Sequence, residues 1–232
     1  MDVHSDTAFA PFIDTPAAES SVLLRDIAYE RIKDAIRLAR LQPGQPLSET
    51  RLSRELGISR TPVREALQLL AQEGLVQVIP GRAVTVAAPS VQEVMDAIHV
   101  RLLLEPEVTR LAAKHISPEQ LRSLWDAQSG LEAAVAAQDR AAWSRVDNVY
   151  HELLSKACPN QLMGELAIRF RNRVSYLSVD AQGNWERLAN CTVEHRRVVQ
   201  MIAEHDSDGA GQAMREHIQQ FRESIFRRLS HN

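Results

Sequence analysis

Four side chains in the C-terminal half of the chain have the types and spacing of metal ligands: Asp147, His151, His195 and His217. Asp147 and His151 are four residues apart, so both point from one face if this segment is helical. Carboxylate oxygens and neutral imidazole nitrogens both bind divalent transition metals. The pair therefore predicts half of a metal site, with ordinary surface or core histidines as the alternative.

His195 and His217 complete the set if the chain folds back on itself between them. Each lies about ten residues from the sequence DSDG at 206–209, which predicts a turn. At about 1.5 Å per residue, both histidines then lie level in an antiparallel helical hairpin, roughly 16 Å from the turn. One carboxylate and three neutral imidazoles around a divalent cation leave a net charge of about +1, which attracts an anion such as a small carboxylate.

A second set of candidate residues lies on one face of a short segment near residue 60. Ser59 is a favourable helix N-cap, with Thr61 as the alternative. An apolar stripe at helical spacing follows, made of Val63, Ala66, Leu67 and Leu70. Arg60, Arg64 and Gln68 are left on the opposite face, where arginines can reach phosphates or guanine edges in a major groove.

The flanking sequence predicts the rest of a DNA-binding unit. Residues 47–57 predict a short helix that ends at a glycine. Residues 75–79 and 83–86 predict a β-hairpin, whose turn holds Gly81 and Arg82. The hairpin would lie beside the second helix as a wing. The alternative is a three-helix core whose exposed arginines form only a solvated face.

These residues resemble the GntR-type winged helix-turn-helix regulators. The resemblance rests on LSETRLSRELGISRTPVREALQLLAQEGLV at 47–76 and on the PGR turn that follows. The chain departs from many relatives at Thr50, where they carry an arginine, and Arg51 is the adjacent candidate for DNA contact. The family implies a homodimer on double-stranded operator DNA, because a two-fold protein fits a palindromic operator.

The four candidate ligands resemble, in type, order and approximate spacing, the Asp and three His of the FCD domain, the ligand-sensing domain of FadR-type GntR regulators. Together the two resemblances cover about residues 21–229. They imply a mainly α fold, with an N-terminal winged helix-turn-helix of three helices plus a β-hairpin and a C-terminal all-α bundle of six or seven helices. They also imply a small organic acid effector and a divalent metal ion, zinc in the first place, with nickel or manganese as alternatives.

The chain divides in order into a tail at 1–20, a winged domain at 21–88 and a helical metal- and effector-binding domain at 89–232. The tail has no helical or strand period, so we expect it to be mobile. From Ser21 onward, a first helix has a broad apolar face formed by Leu24, Ile27, Ile32, Ile36 and Leu38. Caps and breakers after residue 88 predict helices at about 90–114, 117–137, 139–157, 161–178, 185–205 and 210–229.

Composition excludes several classes of protein. The chain has 232 residues, 44% of them hydrophobic, which suffices for two domains with buried cores. Its formal charge of −3 argues against a protein that coats nucleic acid through bulk positive charge. The excess of base falls in residues 21–88, which hold ten Arg and Lys against seven Asp and Glu.

The remaining sequence signals concern location. Cys158 and Cys191 lack CxxC spacing, and we predict reduced thiols that pack in a core. No apolar run reaches the roughly twenty residues needed to cross a bilayer. The acidic start lacks the basic region of a signal peptide. We therefore expect a cytoplasmic protein without a membrane partner.

As a whole, the sequence predicts a metabolite-responsive transcription regulator and not an enzyme. An acid bound to the metal needs a second cation at its far end, and Arg101 is the first candidate and Arg173 the second, because a guanidinium grips a carboxylate with two hydrogen bonds. The alternative is a hydrolase that uses the same four ligands for a catalytic metal. For that chemistry Glu152 and Glu194 are predicted to be poorly placed as general bases, about 100° round the helix from the ligands. A purely architectural DNA binder without an effector is the third possibility.

Overall fold

The computed structural model describes residues 16–38, 40–79, 83–175 and 185–229. Over these ranges the chain forms the helices α1 Pro16–Arg37, α2 Glu49–Leu56, α3 Arg60–Gln72, α4 Val91–His115, α5 Pro118–Ala136, α6 Arg140–Ala157, α7 Gln161–Ser175, α8 Trp185–Ala203 and α9 Ser207–Leu229, and the strands β1 Pro46–Leu47, β2 Val76–Ile79 and β3 Ala83–Val86. The predicted mainly α fold class is confirmed.

Local sequence explains the two short helices of the N-terminal part. The Ser48 hydroxyl accepts a hydrogen bond from the backbone N–H of Arg51 and caps α2. Gly57 ends that helix with φ 71°, a left-handed conformation that glycine adopts without a steric penalty. Ser59 holds the N-cap position of α3 with extended backbone angles, although its side chain makes no capping hydrogen bond. The predicted order of two helices and a tight turn is thus present.

The apolar faces of α1 and α3 form one core. The predicted stripe of α3 is buried, with Val63, Ala66, Leu67 and Leu70 each at most 2% exposed. On α1, Ala28, Ile32 and Ile36 are buried at a spacing of four residues. Ile27 was predicted to share this face but is 41% exposed. The helix buries a narrower stripe than its sequence suggests, because α3 is the helix of this part that it packs against most extensively.

The helix α1 also begins earlier than the sequence indicated. It starts at Pro16, so residues 16–20, predicted as part of a mobile tail, are helical. Proline is favourable in the first helical turn, where its missing N–H leaves no hydrogen bond unmade. The rest of the predicted tail, residues 1–15, lies outside the described residues.

The wing belongs to a three-stranded antiparallel sheet of order β1-β3-β2. Val76 pairs with Val86 and Ile79 with Ala83, as expected for the predicted hairpin. The two-residue strand β1 was not predicted; it pairs Leu47 with Val84. A strand of two residues carries too little period to be recognised in sequence. The turn with Gly81 and Arg82 lies outside the described residues.

After the wing, capping boxes open the first two helices of the C-terminal part. The Ser90 hydroxyl accepts from the N–H of Glu93, and the Glu93 carboxylate accepts from the N–H of Ser90. Ser117 and Gln120 do the same at α5. Pro106 lies inside α4, and the helix continues past it as predicted. The helix α4 packs against α6, α7, α8 and α9, and so forms the centre of the bundle.

The start of the last helix differs from prediction. Ser207, Asp208 and Gly209 were predicted as turn residues but form the first turn of α9, where the Asp206 carboxylate accepts a hydrogen bond from the N–H of Gly209. The chain reversal between α8 and α9 is therefore shorter than expected. The described part of α7 ends at Ser175, and residues 176–184 lie outside the described residues.

The buried apolar side chains form separate clusters on either side of the segment that links the wing to α4. One joins α1, α2, α3 and the sheet, from Ala28 to Val86. The largest joins residues from Val94 to Ile225. Each part therefore has its own hydrophobic core, which is the usual mark of an independent domain.

Candidate functional site

The exposed face of α3 carries the predicted DNA-binding arginines. The side chains of Arg60 and Arg64 are 59% and 54% exposed, and both point toward Glu49 on α2. Arg64 donates two hydrogen bonds to the Glu49 carboxylate, at 2.9 and 2.8 Å. These bonds lower the pKa of Glu49 despite the opposing effect of partial desolvation. In this conformation the two arginines are held side by side by one carboxylate.

The other predicted DNA-contacting residues within the described ranges are also exposed. Ser59, Thr61 and Gln68 are exposed along α3 or at its start. Arg51 is exposed on α2 and forms an ion pair with Glu55 one helical turn away, at 2.7 Å. The described candidates are therefore all accessible to a partner, and Glu49 is the residue of α2 that contacts Arg60 and Arg64.

Inside the bundle, three histidines from three helices meet. His151 comes from α6, His195 from α8 and His217 from α9; one ring nitrogen from each lies within 4.8 Å of the others. The ring centroids of His195 and His217 are 4.5 Å apart, so the two residues face each other across the α8–α9 hairpin. All three side chains are buried. The packing of α8 against α9 accounts for this meeting, as the spacing from the turn predicted.

Asp147 lies at the edge of the same cluster. Its Oδ1 is 3.8 Å from His151 Nε2 and 3.8 Å from His195 Nδ1. Its Oδ2 accepts a hydrogen bond from Arg171 on α7. One carboxylate oxygen therefore faces the imidazoles while the other is fixed by a guanidinium.

The polar atoms of this cluster suit a divalent metal ion. Neither ring nitrogen of His195 has a hydrogen-bond partner in the described structure, although both are buried. An unpaired buried nitrogen is costly, and a metal bond is one way to satisfy it. His217 Nδ1 is hydrogen-bonded to Glu194 Oε2 at 2.8 Å, which leaves Nε2 as its ligand atom. Three nitrogens and one carboxylate oxygen are a donor set that zinc accepts.

The electrostatics favour the metal-binding form of the histidines. Burial lowers the pKa of His151, His195 and His217 well below the usual value. The positive charge of Arg171 adds to this effect at His151. The three imidazoles are therefore neutral at physiological pH, with lone pairs free for coordination.

Arg101, predicted to hold the far end of an acid, is buried beside the cluster. It pairs with Glu105 on the same helix, Nε to Oε1 at 2.5 Å, and its guanidinium lies 5.0 Å from the ring centre of Phe221. Glu105 Oε2 in turn lies 3.8 Å from His151 Nδ1. Arg101 thus reaches the site through Glu105.

Arg173, the second candidate, is not brought to the cluster. Its side chain lies against Gly74, where an added Cβ would be 2.7 Å from Arg173 Nε. It lines an open cleft of about 550 Å³ between the sheet, α4 and α7. The prediction that Arg173 faces an acid on the metal therefore fails, because position 173 lies on the other side of α7 from Arg171.

Arg171 is the arginine that the sequence analysis missed. It donates to Asn148 Oδ1 at 2.7 Å as well as to Asp147, and it is 4% exposed. The sequence does contain an indication that Arg171 is buried: Ala167 and Val174, one turn before and after it on α7, are apolar and buried. A charged residue within an apolar helical stripe indicates a buried partner.

Two further residues, Cys191 and Glu194, lie closer to the candidate metal site than predicted. Cys191, expected only to fill a core, lies with Asp147 and His195 in a set of donor atoms within 4.8 Å of one another. Glu194, expected to point away, contacts His217 and is also held by Arg187 at 3.0 Å. Burial raises the pKa of Glu194, an effect that Arg187 opposes. Glu194 contacts His217 because α9 packs beside α8. The position of Glu194 on α8 alone does not reveal this contact.

A short polar connection joins this site to the DNA-binding part. Asn172 follows Arg171 on α7; its Oδ1 accepts from Arg37 of α1 at 3.1 Å, and its Nδ2 donates to Glu73 at 3.2 Å. Glu73 is the C-cap of α3 and also pairs with Lys33, at 3.1 Å. Consecutive residues of α7 therefore contact a candidate metal ligand and both long helices of the winged domain.

Comparison with known proteins assigns both parts of the chain. Residues 24–86 match the family described as bacterial regulatory proteins, gntR family, and residues 96–220 match the FCD domain, which is more than half of the chain. The chain belongs to the GntR family. It is a transcriptional regulator with an N-terminal helix-turn-helix domain and an effector-binding FCD domain, the FadR-type architecture. Both expected resemblances are thereby confirmed.

Curated relatives of this GntR regulator include named repressors. The HTH-type transcriptional repressor RspR of Escherichia coli strain K12 is 30% identical over 188 residues, which cover 80% of this chain and 81% of that protein. The HTH-type transcriptional repressor NanR of Enterobacter sp. strain 638 is 26% identical over 222 residues, covering 84% and 82%.

Solved structures share the fold. Escherichia coli McbR/YncC superposes with a TM-score of 0.79 at 22% identity, over 89% of this chain and 98% of that one. A GntR regulator from Rhodococcus sp. RHA1 gives a TM-score of 0.68 at 20% identity, over 90% and 98%. None of the helices in the described ranges is both long and apolar enough to span a bilayer.

The Asp147–Arg171 pair predicts a strong energetic coupling. In the metal-free protein, Asp147→Asn or Arg171→Met alone leaves a buried charge without its partner, and we expect each to lower the free energy of unfolding by about 3 kcal/mol. The double variant should be less destabilised than the sum of the two. Urea unfolding of the four proteins measures this coupling.

The exposed pair Arg196–Glu132, with side chains 46% and 36% exposed, is the matched control. Its removal should change stability by less than about 1 kcal/mol, because water screens the charges. Additive effects of Asp147→Asn and Arg171→Met would contradict the interpretation that the two charges depend on each other.

Proposed function

We propose that this GntR regulator binds operator DNA as a cytoplasmic homodimer and that a small organic acid, bound at a divalent metal in the FCD domain, alters that binding. The metal ligands in this proposal are Asp147, His151, His195 and His217. Zinc is the expected ion, with nickel or manganese as alternatives. The observation that carries the proposal is the meeting of three buried, neutral imidazoles beside a carboxylate, with both nitrogens of His195 unpaired.

Two arginines support an acidic effector. A divalent ion with one carboxylate and three imidazoles has a net charge of about +1 and attracts an anion. Arg101 and Arg171 add two buried positive charges next to the same ligands. Both are at present paired with carboxylates, Glu105 and Asp147. A small di- or tricarboxylic acid matches this arrangement, with one carboxylate on the metal and another on Arg101.

The space at the site implies that such an acid rearranges it. The crevice lined by Glu105, His151 and Arg171 has a volume of about 10 Å³, enough for one water molecule. An acid therefore enters only if neighbouring side chains move, and the Arg101–Glu105 pair is the one that it competes with. Binding that requires movement can favour one conformation of the protein over another.

The polar connection through α7 supports coupling to DNA. Arg171 contacts the metal ligand Asp147, and the next residue, Asn172, bridges α1 and the end of α3. Because both residues belong to one rigid helix, a shift at Arg171 moves Asn172. By linkage, DNA then changes the affinity for the acid by the factor by which the acid changes the affinity for DNA.

The exposed face of α3 supports the proposed DNA contacts. The two-fold symmetry of a palindromic operator supports the proposed dimer. Arg60, Arg64, Gln68 and Thr61 line that face, with Arg51, Ser59, Gly81 and Arg82 as its proposed extensions. Two copies on a palindromic operator double a modest set of base contacts. Exposed apolar side chains such as Leu103 on α4 and Phe226 on α9, 64% and 62% exposed, provide apolar surface for a second copy.

The hydrolase alternative has less support. It needs a general base near an open metal position. Besides Asp147, the carboxylates of Glu105 and Glu194 approach the ligands, and Glu105 is paired with Arg101. Glu194 is engaged by both Arg187 and His217. A carboxylate with two such partners serves better to orient His217 than to take a proton. The family assignment favours regulation for the same site.

The first prediction from the proposed function concerns DNA affinity. Arg64→Ala should weaken binding to an operator selected with the unmodified protein by about 1–3 kcal/mol if Arg64 contacts a base, and should lower the salt slope by about one if it contacts a phosphate alone. Fluorescence anisotropy at several salt concentrations measures both. Arg122→Ala, on the exposed surface of α5, is the control and should bind as before. Equal affinity of the Arg64 variant at every salt concentration would refute the assignment.

The second prediction concerns the metal. His217→Ala should reduce bound metal in elemental analysis and abolish the effect of carboxylic acids on operator binding, while the affinity for operator without acid stays within about threefold, because the DNA-binding face is untouched. His115→Ala, at an exposed end of α4, is the control. Native mass spectrometry of the purified protein identifies the ion and any acid that accompanies it. A full equivalent of metal in the His217 variant would disprove this ligand set.

The third prediction concerns the connection through α7. Asn172→Ala should leave metal content and acid binding intact but reduce the coupling between acid and operator, typically about 1–3 kcal/mol, by at least half. Titration calorimetry of the acid with and without operator measures the coupling. Asn190→Ala, exposed on α8, serves as the control. If the Asn172 variant keeps the coupling of the unmodified protein, the signal takes another route.

A further inference from the structure

Cys191 lies on the same face of α8 as a proposed metal ligand. It precedes His195 by four residues, one helical turn, just as Asp147 precedes His151 on α6. Each of the two helices therefore presents a pair of potential ligands with the same spacing. Both pairs are buried. A Cys-x-x-x-His pair on one helical face supplies one sulfur and one nitrogen, the donor types that zinc prefers.

The position of the thiol agrees with this pattern. The Cys191 sulfur and the donor atoms of Asp147 and His195 lie within 4.8 Å of one another, and Cys191 also forms such a set with Glu194 and His217. The unpaired ring nitrogens of His195 mark this as the region where donors lack partners. Cys158, by contrast, is buried in a different cluster, with Val108 and Ala167. The two thiols of the chain thus have different surroundings.

We propose that Cys191 is a thiolate ligand of the metal and makes the site prefer zinc, cobalt or cadmium to manganese. The inference rests on the proposed metal site and adds a ligand to its Asp and three His. When the sulfur–metal bond forms, the thiol proton leaves to solvent. A thiolate is a soft ligand that binds borderline and soft ions strongly and hard ions weakly, whereas carboxylate and imidazole discriminate less between them.

A thiolate ligand also changes the charge that an effector meets. With Asp147 and three imidazoles alone the divalent centre has a net charge of about +1. The thiolate reduces this charge to about zero. The attraction for an acid then comes mainly from Arg101, which the acid takes over from Glu105, and the metal contributes mainly an open coordination position. The recognised acid is therefore selected by the distance between the Arg101 guanidinium and the ion.

Cobalt substitution tests this ligand directly. Protein stripped of metal and loaded with Co²⁺ should show an intense sulfur-to-cobalt charge-transfer band in the near ultraviolet, which nitrogen and oxygen ligands do not produce. Because the chain has two cysteines, Cys158→Ser assigns the band. We expect the band to persist in Cys158→Ser and to disappear in Cys191→Ser and Cys191→Ala.

Competition between metals provides the second measurement. Cys191→Ser should bind zinc at least about tenfold more weakly while manganese affinity changes little, since a lost ligand costs at least as much as a lost partner of a ligand. Thermal unfolding of the metal-free variants establishes that they are folded. If a Cys191 variant does not fold, the band in unmodified protein and in Cys158→Ser still decides the assignment.

The outcomes separate this inference from the metal site itself. Stoichiometric cobalt without a charge-transfer band in the unmodified protein, or a band lost in Cys158→Ser, overturns the role of Cys191 and leaves the Asp and three His as ligands. An unchanged preference for zinc over manganese in Cys191→Ser also overturns it. If the unmodified protein binds neither cobalt nor zinc, both the inference and the metal site of the proposed function are wrong.

Discussion

The buried carboxylate of Asp147 is the constraint on which the effector domain depends. A carboxylate that is 6% exposed loses most of its hydration and is stable only if other groups replace the water. Arg171 does so at one oxygen, and the imidazoles of His151 and His195 face the other. A single side chain therefore ties α6 to α7 and to α8. The histidines of α8 and α9 then meet because those two helices pack as a hairpin.

The cluster around Asp147 places polar side chains in the interior of the helical bundle, which is usually apolar. Around it, large apolar side chains such as Trp143 and Tyr150 are fully buried and supply the stability that the ionic groups do not. The buried ring nitrogens of His195, which have no hydrogen-bond partner among the described residues, are a cost to the fold. Polar groups retained in a core at such cost are typical of a binding site, because replacement by apolar residues would often stabilise the fold.

The same helix that neutralises Asp147 also contacts the DNA-binding domain. Arg171 faces inward and Asn172 faces α1 and the end of α3, so one turn of α7 belongs to both domains. The two arginines of the proposed DNA-binding face are in turn held by Glu49, a carboxylate that DNA phosphates would have to replace. In the proposed function, two carboxylates offer a physical basis for competition: the acid effector competes with Glu105 for Arg101, and DNA competes with Glu49 for Arg60 and Arg64.

The sequence by itself determined the family, the fold class and most of the helix ends, because these depend on local rules. Ser90 with Glu93 and Gly57 with its left-handed conformation act within a few residues of their own position. The i, i+4 spacing of Asp147 and His151 is local too. Spacing from one turn was enough to predict that His195 and His217 face each other, since a helical hairpin has fixed geometry.

Only the tertiary structure decided which arginine and which further donors lie at the site. Arg171 and Arg173 are two residues apart, but opposite sides of α7 face different neighbours, and the sequence does not tell which side faces Asp147. Cys191 and Glu194 reach the cluster through contacts with residues of other helices, Asp147 of α6 and His217 of α9. Strand β1 exists because β3 lies beside it. Each of these features depends on how separate elements pack, and packing is set by the whole chain and not by any one segment.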